Sequence, residues 1–159
     1  MTTPKPLSAS PLRILNHSFT SIQVDAVDAE EASGGISLTT RRFLRPHREH
    51  PRQFMVTLEL KFGSQDEEQI APYFGQIHIE GEFQVADSFP EERVEELVQV
   101  TGASILFGAC REMLANLTAR STFGIISLPS VSFVEPLTAK KKSAKKKAAP
   151  TKKSAKKRT

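Results

Sequence analysis

An α+β fold, a four-stranded antiparallel β-sheet with one long C-terminal helix packed on one face, is predicted by three features of the sequence. Apolar and polar residues alternate through much of residues 12–85, and a period of two marks strands with one buried face. After Pro90 the apolar residues recur at three- and four-residue spacing, the mark of an amphipathic helix. Polar runs separate the alternating stretches, so neighbouring strands are expected to form a meander that is apolar on one side.

Residues 1–11 read as a disordered leader, because Pro4, Pro6 and Pro11 are spaced by small polar residues and no apolar run of the signal-peptide kind occurs there. A first strand is expected from Leu12 to Val27. Ile22, Val24 and Ala26 alternate with Ser21, Gln23 and Asp25, whereas Leu15, His17 and Phe19 follow the opposite parity. That switch predicts a bulge or break near Thr20. Glu30–Gly35 reads as a turn whose glycines tolerate positive φ. Ile36–Leu44 is a shorter strand, and Arg45–Arg52, with its prolines and arginines, an exposed loop.

The clearest strands come next. Phe54, Val56, Leu58, Leu60 and Phe62 alternate with Met55, Thr57, Glu59 and Lys61. After a polar turn at Gly63–Glu68, Tyr73, Ile77, Ile79, Phe83 and Val85 share one face of a strand over Tyr73–Val85, opposite Phe74, Gln76, His78, Glu80, Glu82 and Gln84.

Asp87, Ser88 and Pro90 are helix-start signals, and Glu91 and Glu92 suit the positive end of a helix dipole. A continuous helix from Glu91 to Ala119 would be about 43 Å long at ~1.5 Å per residue. Gly102 and Gly108 each cost up to ~1 kcal/mol against alanine in a helix, so a break is expected near Gly102 with Ala103–Ala119 as the robust helix. Ser121–Pro136 is apolar and β-branched around two prolines, which suit an extended segment over the core or a subunit boundary better than a central strand.

Charge divides the chain. Of its 22 Lys and Arg, 11 lie in residues 140–159, which hold no acid; residues 1–139 carry 11 basic against 18 acidic groups, a net of −7. An acidic domain over 12–137 and a disordered, Lys-rich tail over 138–159 are therefore expected. The single cysteine, Cys110, gives no intrachain disulfide, and no run approaches the ~18 apolar residues of a membrane span. A soluble, cytoplasmic protein is the expectation.

Nothing in the sequence assembles into a catalytic constellation, and no enzyme activity, metal or cofactor is expected. His47 and His50 are three apart but do not form the zinc pattern with glutamate between i and i+4 histidines. Cys110 falls on the inner face of the helix, where a free thiol behaves as a small hydrophobe.

Two segments resemble one family. Ser104-Ile-Leu-Phe-Gly-Ala-Cys-Arg-Glu112 is similar to the helix signature N-I-L-F-P-Y-A-R-E of SecB export chaperones. Arg120-Ser-Thr-Phe-Gly124 and Leu128-Pro-Ser-Val-Ser-Phe133 resemble the family's R-G-T-F-P and L-x-P-V-N-F stretches. Gly108 and Gly124 stand where the family has proline, so the match is to a divergent member. The resemblance implies a SecB-like fold assembled as a homo-oligomer, dimer or tetramer, in which helices are buried against partner subunits. It implies an ATP-independent holdase for unfolded or precursor polypeptides. Its client groove would be lined by Phe43, Leu44, Phe54, Phe123, Ile125 and Ile126, with Ile105, Leu106, Met113 and Leu117 at the subunit interface. Ordinary core is an equal reading for Phe54 and Phe123. A SecA-type ATPase is a further implied partner, although Asn16, Thr20 and Gln76 are neutral where the family carries acids.

The tail repeats Ser-Ala-Lys-Lys at 143 and 154 and has no aromatic residue. Lys140, Lys141, Lys142, Lys145, Lys146, Lys147, Lys152 and Lys153 suit nonspecific contact with nucleic acid, the ribosome or another acidic partner. Three functions thus stand at this stage: a holdase for export, an oligomeric nucleic-acid- or ribosome-associated protein acting through its tail, and a dedicated chaperone of a toxin–antitoxin system.

Overall fold

The alternation of Phe54–Phe62 and Tyr73–Val85 becomes two faces of a sheet. In a computed structural model, which describes residues 8–134, four strands run β1 Leu12–Ala26, β2 Ser37–Pro46, β3 Gln53–Gly63 and β4 Tyr73–Val85. All pairs are antiparallel. Val56, Leu58 and Leu60 of β3 and Ile77, Ile79 and Phe83 of β4 are buried on the inner face. The arginine-rich start of the expected loop instead extends β2 to Pro46.

The expected meander is corrected. The strand order is β1-β4-β3-β2, so β1 lies beside β4 and not beside β2. This is a Greek key: three hairpin-linked strands plus one that returns by a longer connection. The β1–β2 connection crosses the end of the sheet and is tied to the β3–β4 loop. Val27 N–H donates to the Pro72 carbonyl at 3.1 Å, and Ser33 and Gly34 N–H donate to the Ile70 carbonyl at 3.0 and 3.1 Å. Strand lengths match the same pairing, with β1 and β4 at 15 and 13 residues and β2 and β3 at 10 and 11.

The parity switch in β1 is a bulge at the expected place. Phe19 pairs with Ile79 and Ser21 with His78, which leaves Thr20 unpaired, and its hydroxyl donates to the His78 carbonyl at 3.3 Å. A second bulge falls at Leu15, between Ile14 and Asn16. Gly75 lets the two strands close on each other. Its φ is +157°, and a Cβ there would sit 2.1 Å from the Gln23 carbonyl oxygen on β1.

The expected break near Gly102 is a change of winding, with no gap in the helix. A 3₁₀ turn at Glu91–Arg93 leads into α1 Val94–Leu97, a π-helical turn at Val98–Gly102, and α2 Ala103–Thr118. One extra residue in a turn rotates the helix beyond it. Here it brings Val98, Ala103, Leu106, Cys110 and Leu114 to the sheet together, all at 0% exposure. The helix packs tightly over Gly81, where a Cβ would lie 2.7 Å from Leu106 Cδ2.

Beyond the helix, residues 119–134 form a strap that turns over 119–123 and then runs on without a strand, as the prolines require. Ile126, Leu128 and Phe133 are its buried anchors. Residues 1–7 of the leader, the domain end at 135–137 and the whole tail, including its lysines, lie outside the described residues.

Two glycines should respond oppositely to alanine. Gly75→Ala should lower the thermal midpoint by several degrees, because β1 must move or the residue strain. Gly108, whose added Cβ meets nothing within 4 Å, should gain up to ~1 kcal/mol from helix propensity. Urea titration of both variants checks this.

Candidate functional site

The inner face is covered unevenly. The helix lies over β3 and β4, and the strap packs beside it toward β2. Tyr73 Oη donates to the Gly124 carbonyl, Arg42 Nη1 donates to the Phe133 carbonyl, and the Phe107 and Phe133 rings meet edge-to-face at 6.0 Å. On the β1 side the cover is thin. Ile22 is 41% exposed, whereas its ladder partner Ile77 is fully buried.

Two apolar concavities result. One, of about 500 Å³, lies over β1 between Ile22, Val24, Tyr73 and the helix residue Leu117. The other, of about 340 Å³, lies between Gly108, Glu112 and Ala115 of α2 and Ile125–Leu128 of the strap. Its rim residue Ile125 is 65% exposed. Glycine at 108 keeps that groove open beside the helix.

A buried hydroxyl adds a third tie between the strap and the rest of the domain. Thr118 Oγ1 donates to the Leu114 carbonyl at 2.8 Å and accepts from Ile126 N–H at 2.9 Å. Both of its hydrogen-bonding roles are thereby used inside the protein, where leaving either unmet would cost most.

The residues expected in one client groove are dispersed. Phe123, Ile125 and Ile126 lie on the strap, but Ile126 is buried and Phe123 packs edge-to-face on Tyr73 at 5.7 Å. Only Ile125 is widely open. Phe43 and Leu44 part company because successive strand residues point to opposite faces. Leu44 packs partly against the core, beside a smaller pocket with Val56 and Gln99. Phe43 is 48% exposed on the outer face, with the Arg41 guanidinium 5.6 Å from its ring centroid. Phe54 belongs to the core, the ordinary reading of such a residue.

The interface set divides too. Ile105, Met113 and Leu117 follow four-residue multiples along one side of α2, and Ile105 and Leu117 are exposed. Leu106 is corrected: turned about 100° from Ile105, it is fully buried against the sheet of its own chain. Ile22 and Val24 are not among the expected site residues. Their signal is the parity after Thr20, which places them on the inner face without telling how far the helix covers them.

Burial pushes the Cys110 thiol up to about 12, so it stays protonated at neutral pH. His47 Nδ1 accepts N–H bonds from Glu49 and His50 at 3.1 and 3.3 Å, closing the β2–β3 hairpin. Among the described residues no group of three His, Cys, Asp or Glu is placed to hold a metal, and no helix is long and apolar enough to cross a membrane.

These features define a class: an α+β protein of one Greek-key sheet whose single helical layer leaves apolar surface open on both flanks. The family described as preprotein translocase subunit SecB matches residues 14–144, and the chain belongs to it. That membership supports a chaperone role. A SecB-like chaperone of Mycobacterium tuberculosis, solved in complex with a ChAD peptide from the HigA1 antitoxin, shares the fold at a TM-score of 0.57 and 16% identity, over 77% of this chain and 88% of that one. A protein of unknown function from Streptococcus agalactiae aligns at a TM-score of 0.44 and 13% identity, over 77% of this chain and 100% of that one. No curated protein matches the chain.

Replacing Thr118 with valine should cost about 1–3 kcal/mol, the price of leaving the Ile126 amide unpaired. Faster hydrogen exchange at Ile126 is the accompanying readout. Native Cys110 should resist a maleimide at pH 8 and react only after denaturation.

Proposed function

We propose that this chain is an ATP-independent holdase that keeps unfolded or precursor polypeptides from aggregating. The observation that carries the reading is the uneven cover of the sheet, which leaves Ile22, Leu117 and Ile125 exposed beside a well-packed core. Apolar patches of this kind on a stable domain mark interaction surfaces.

The two flanks suit different partners. Ile105, Met113 and Leu117 form a regular stripe on a rigid helix, next to the trough over β1. A second copy of the chain can bury such a stripe symmetrically. The other flank combines Ile125 and Leu128 with Arg111 and Glu112 along an irregular strap. It suits extended segments of varied sequence, since an adaptable surface tolerates different side chains. The peptide bound by the Mycobacterium tuberculosis relative supports polypeptide clients.

That same relative favours a second reading, a dedicated chaperone of one toxin–antitoxin pair. The outer face is consistent with it. Asn16 pairs across the ladder with Glu82 and Ser18 with Glu80, and Glu59 on β3 and Asp25 on β1 share that face, while Asn16, Thr20 and Gln76 are neutral. A cytoplasmic export role through a SecA-type ATPase is the broader alternative.

Near-stoichiometric protein should suppress aggregation of several denatured, slow-folding clients without nucleotide. Ile125→Asp should weaken client binding roughly tenfold or more, since covering an isoleucine contributes about 1.5–3 kcal/mol. Leu117→Asp should instead change sedimentation behaviour. Suppression confined to one client favours the dedicated reading; none at all sinks the holdase.

A further inference from the structure

β2 ends the strand order and, among the described residues, has a neighbour on one side only. The hairpin fixes which of its backbone groups look outward. His47 N–H donates to the Gln53 carbonyl, and the β2–β3 register runs from Pro46↔Phe54 to Ser37↔Gly63 without a shift. Hydrogen-bonded and non-hydrogen-bonded pairs alternate along an antiparallel ladder. The odd-numbered residues of β2 therefore bond to β3, and the N–H and C=O groups of Leu38, Thr40 and Leu44 point away from it. Among the described residues no other segment bonds to these three. Pro46 has the same parity but no N–H to offer, so the outward donors end at Leu44. The stretch from Leu38 to Leu44 presents about 20 Å of open edge at ~3.4 Å per residue.

A socket adjoins this edge. Arg42, Phe43, Leu44, Val56 and Gln99, the last on the π turn, line a cavity of about 210 Å³. A strand laid beside β2 would send its side chains alternately to the two faces. A residue opposite Leu44 would stand on the inner face at the socket, and one opposite Phe43 on the outer face against the exposed ring.

Charge selects the occupant. β2 carries Arg41, Arg42 and Arg45 and no acid. A second copy pairing antiparallel through the middle of the same edge would oppose Arg41 to Arg41 or Arg42 to Arg42, and like charges directly opposite destabilise a sheet. An added strand would have Arg41 and Arg45 beside it on the outer face. Glu59 on β3 would lie two strand spacings off, about 10 Å, and Glu80 and Glu82 on β4 three, about 14 Å. At ~0.1 M salt those distances reach or exceed the screening length of ~10 Å. We infer that an unfolded client binds the open edge of β2 as an added strand, through an extended segment with an apolar residue at the socket and an acid on the outer face. This mode rests on the holdase reading and gives it a grip on the client backbone, which every sequence shares.

The test uses the full chain and a labelled peptide of about nine residues alternating isoleucine and glutamate, long enough to span the edge. Amide exchange should slow at Leu38, Thr40 and Leu44 when the peptide binds, while the odd residues of β2 change little. Methylating the peptide nitrogens of one parity should weaken binding about tenfold or more, and of the other parity far less, because alternate N–H groups of a strand face its neighbour. Thr40→Pro should weaken binding similarly and leave the thermal midpoint near that of the parent, since its N–H lies outside the β2–β3 ladder. Binding that leaves the three amides unprotected, or shows no parity effect, overturns the added strand and leaves the holdase standing. Protection that appears without peptide and grows with protein concentration makes a second copy the occupant and overturns the choice of a client. No binding of the peptide, with aggregation of denatured clients still suppressed, overturns the edge alone. Failure of both removes the holdase reading with it.

Discussion

The helix can lie close on the sheet because β4 has no side chain at Gly81. Any Cβ there would stand 2.7 Å from Leu106 Cδ2 and 2.8 Å from the Phe83 ring. Such contacts are too short for a close-packed interior to absorb without displacement. Much else rests on that approach. It seats α2 over β3 and β4, sends Leu106, Cys110 and Leu114 into the core, and leaves one flank to the strap and the other thinly covered.

Strand order shows how far sequence reasoning reaches. Alternation located every strand to within a few residues, and the parity change in β1 placed the bulge at Thr20. Both are local signals carried by side-chain direction. The pairing of β1 with β4 is not local. It depends on the connection over residues 27–36 hydrogen-bonding to the β3–β4 loop and on Gly75 admitting the Gln23 carbonyl. The near-equal lengths of the two strands were a visible hint, but length alone does not choose among antiparallel partners.

How far each candidate residue is exposed was legible only in part. Ile125 is exposed and Phe54 is core, as adjacent Pro-flanked and strictly alternating contexts respectively suggest. Phe43 and Leu44 look like one hydrophobic step in the sequence, yet the pleat sends them to opposite faces. Ile105 and Leu106 are separated in the same way by helical rotation. Neighbouring apolar pairs share a surface only if the backbone between them breaks its period, and in β2 and α2 it does not. The strap differs because it has no period, which is why its apolar residues are divided between burial and exposure by individual hydrogen bonds such as that of Thr118.

The π turn at Val98–Gly102 has a consequence of its own. It works as a phase adjuster between the 4-residue α1 and the 16-residue α2. Each residue added or removed there would rotate α2 by about 100°, swinging Leu106 off Gly81 and carrying the outward stripe round with it. The sheet and the exposed helix face are thus geared together through a single over-wide turn. A lone insertion or deletion in this stretch would change which side of the helix meets the world.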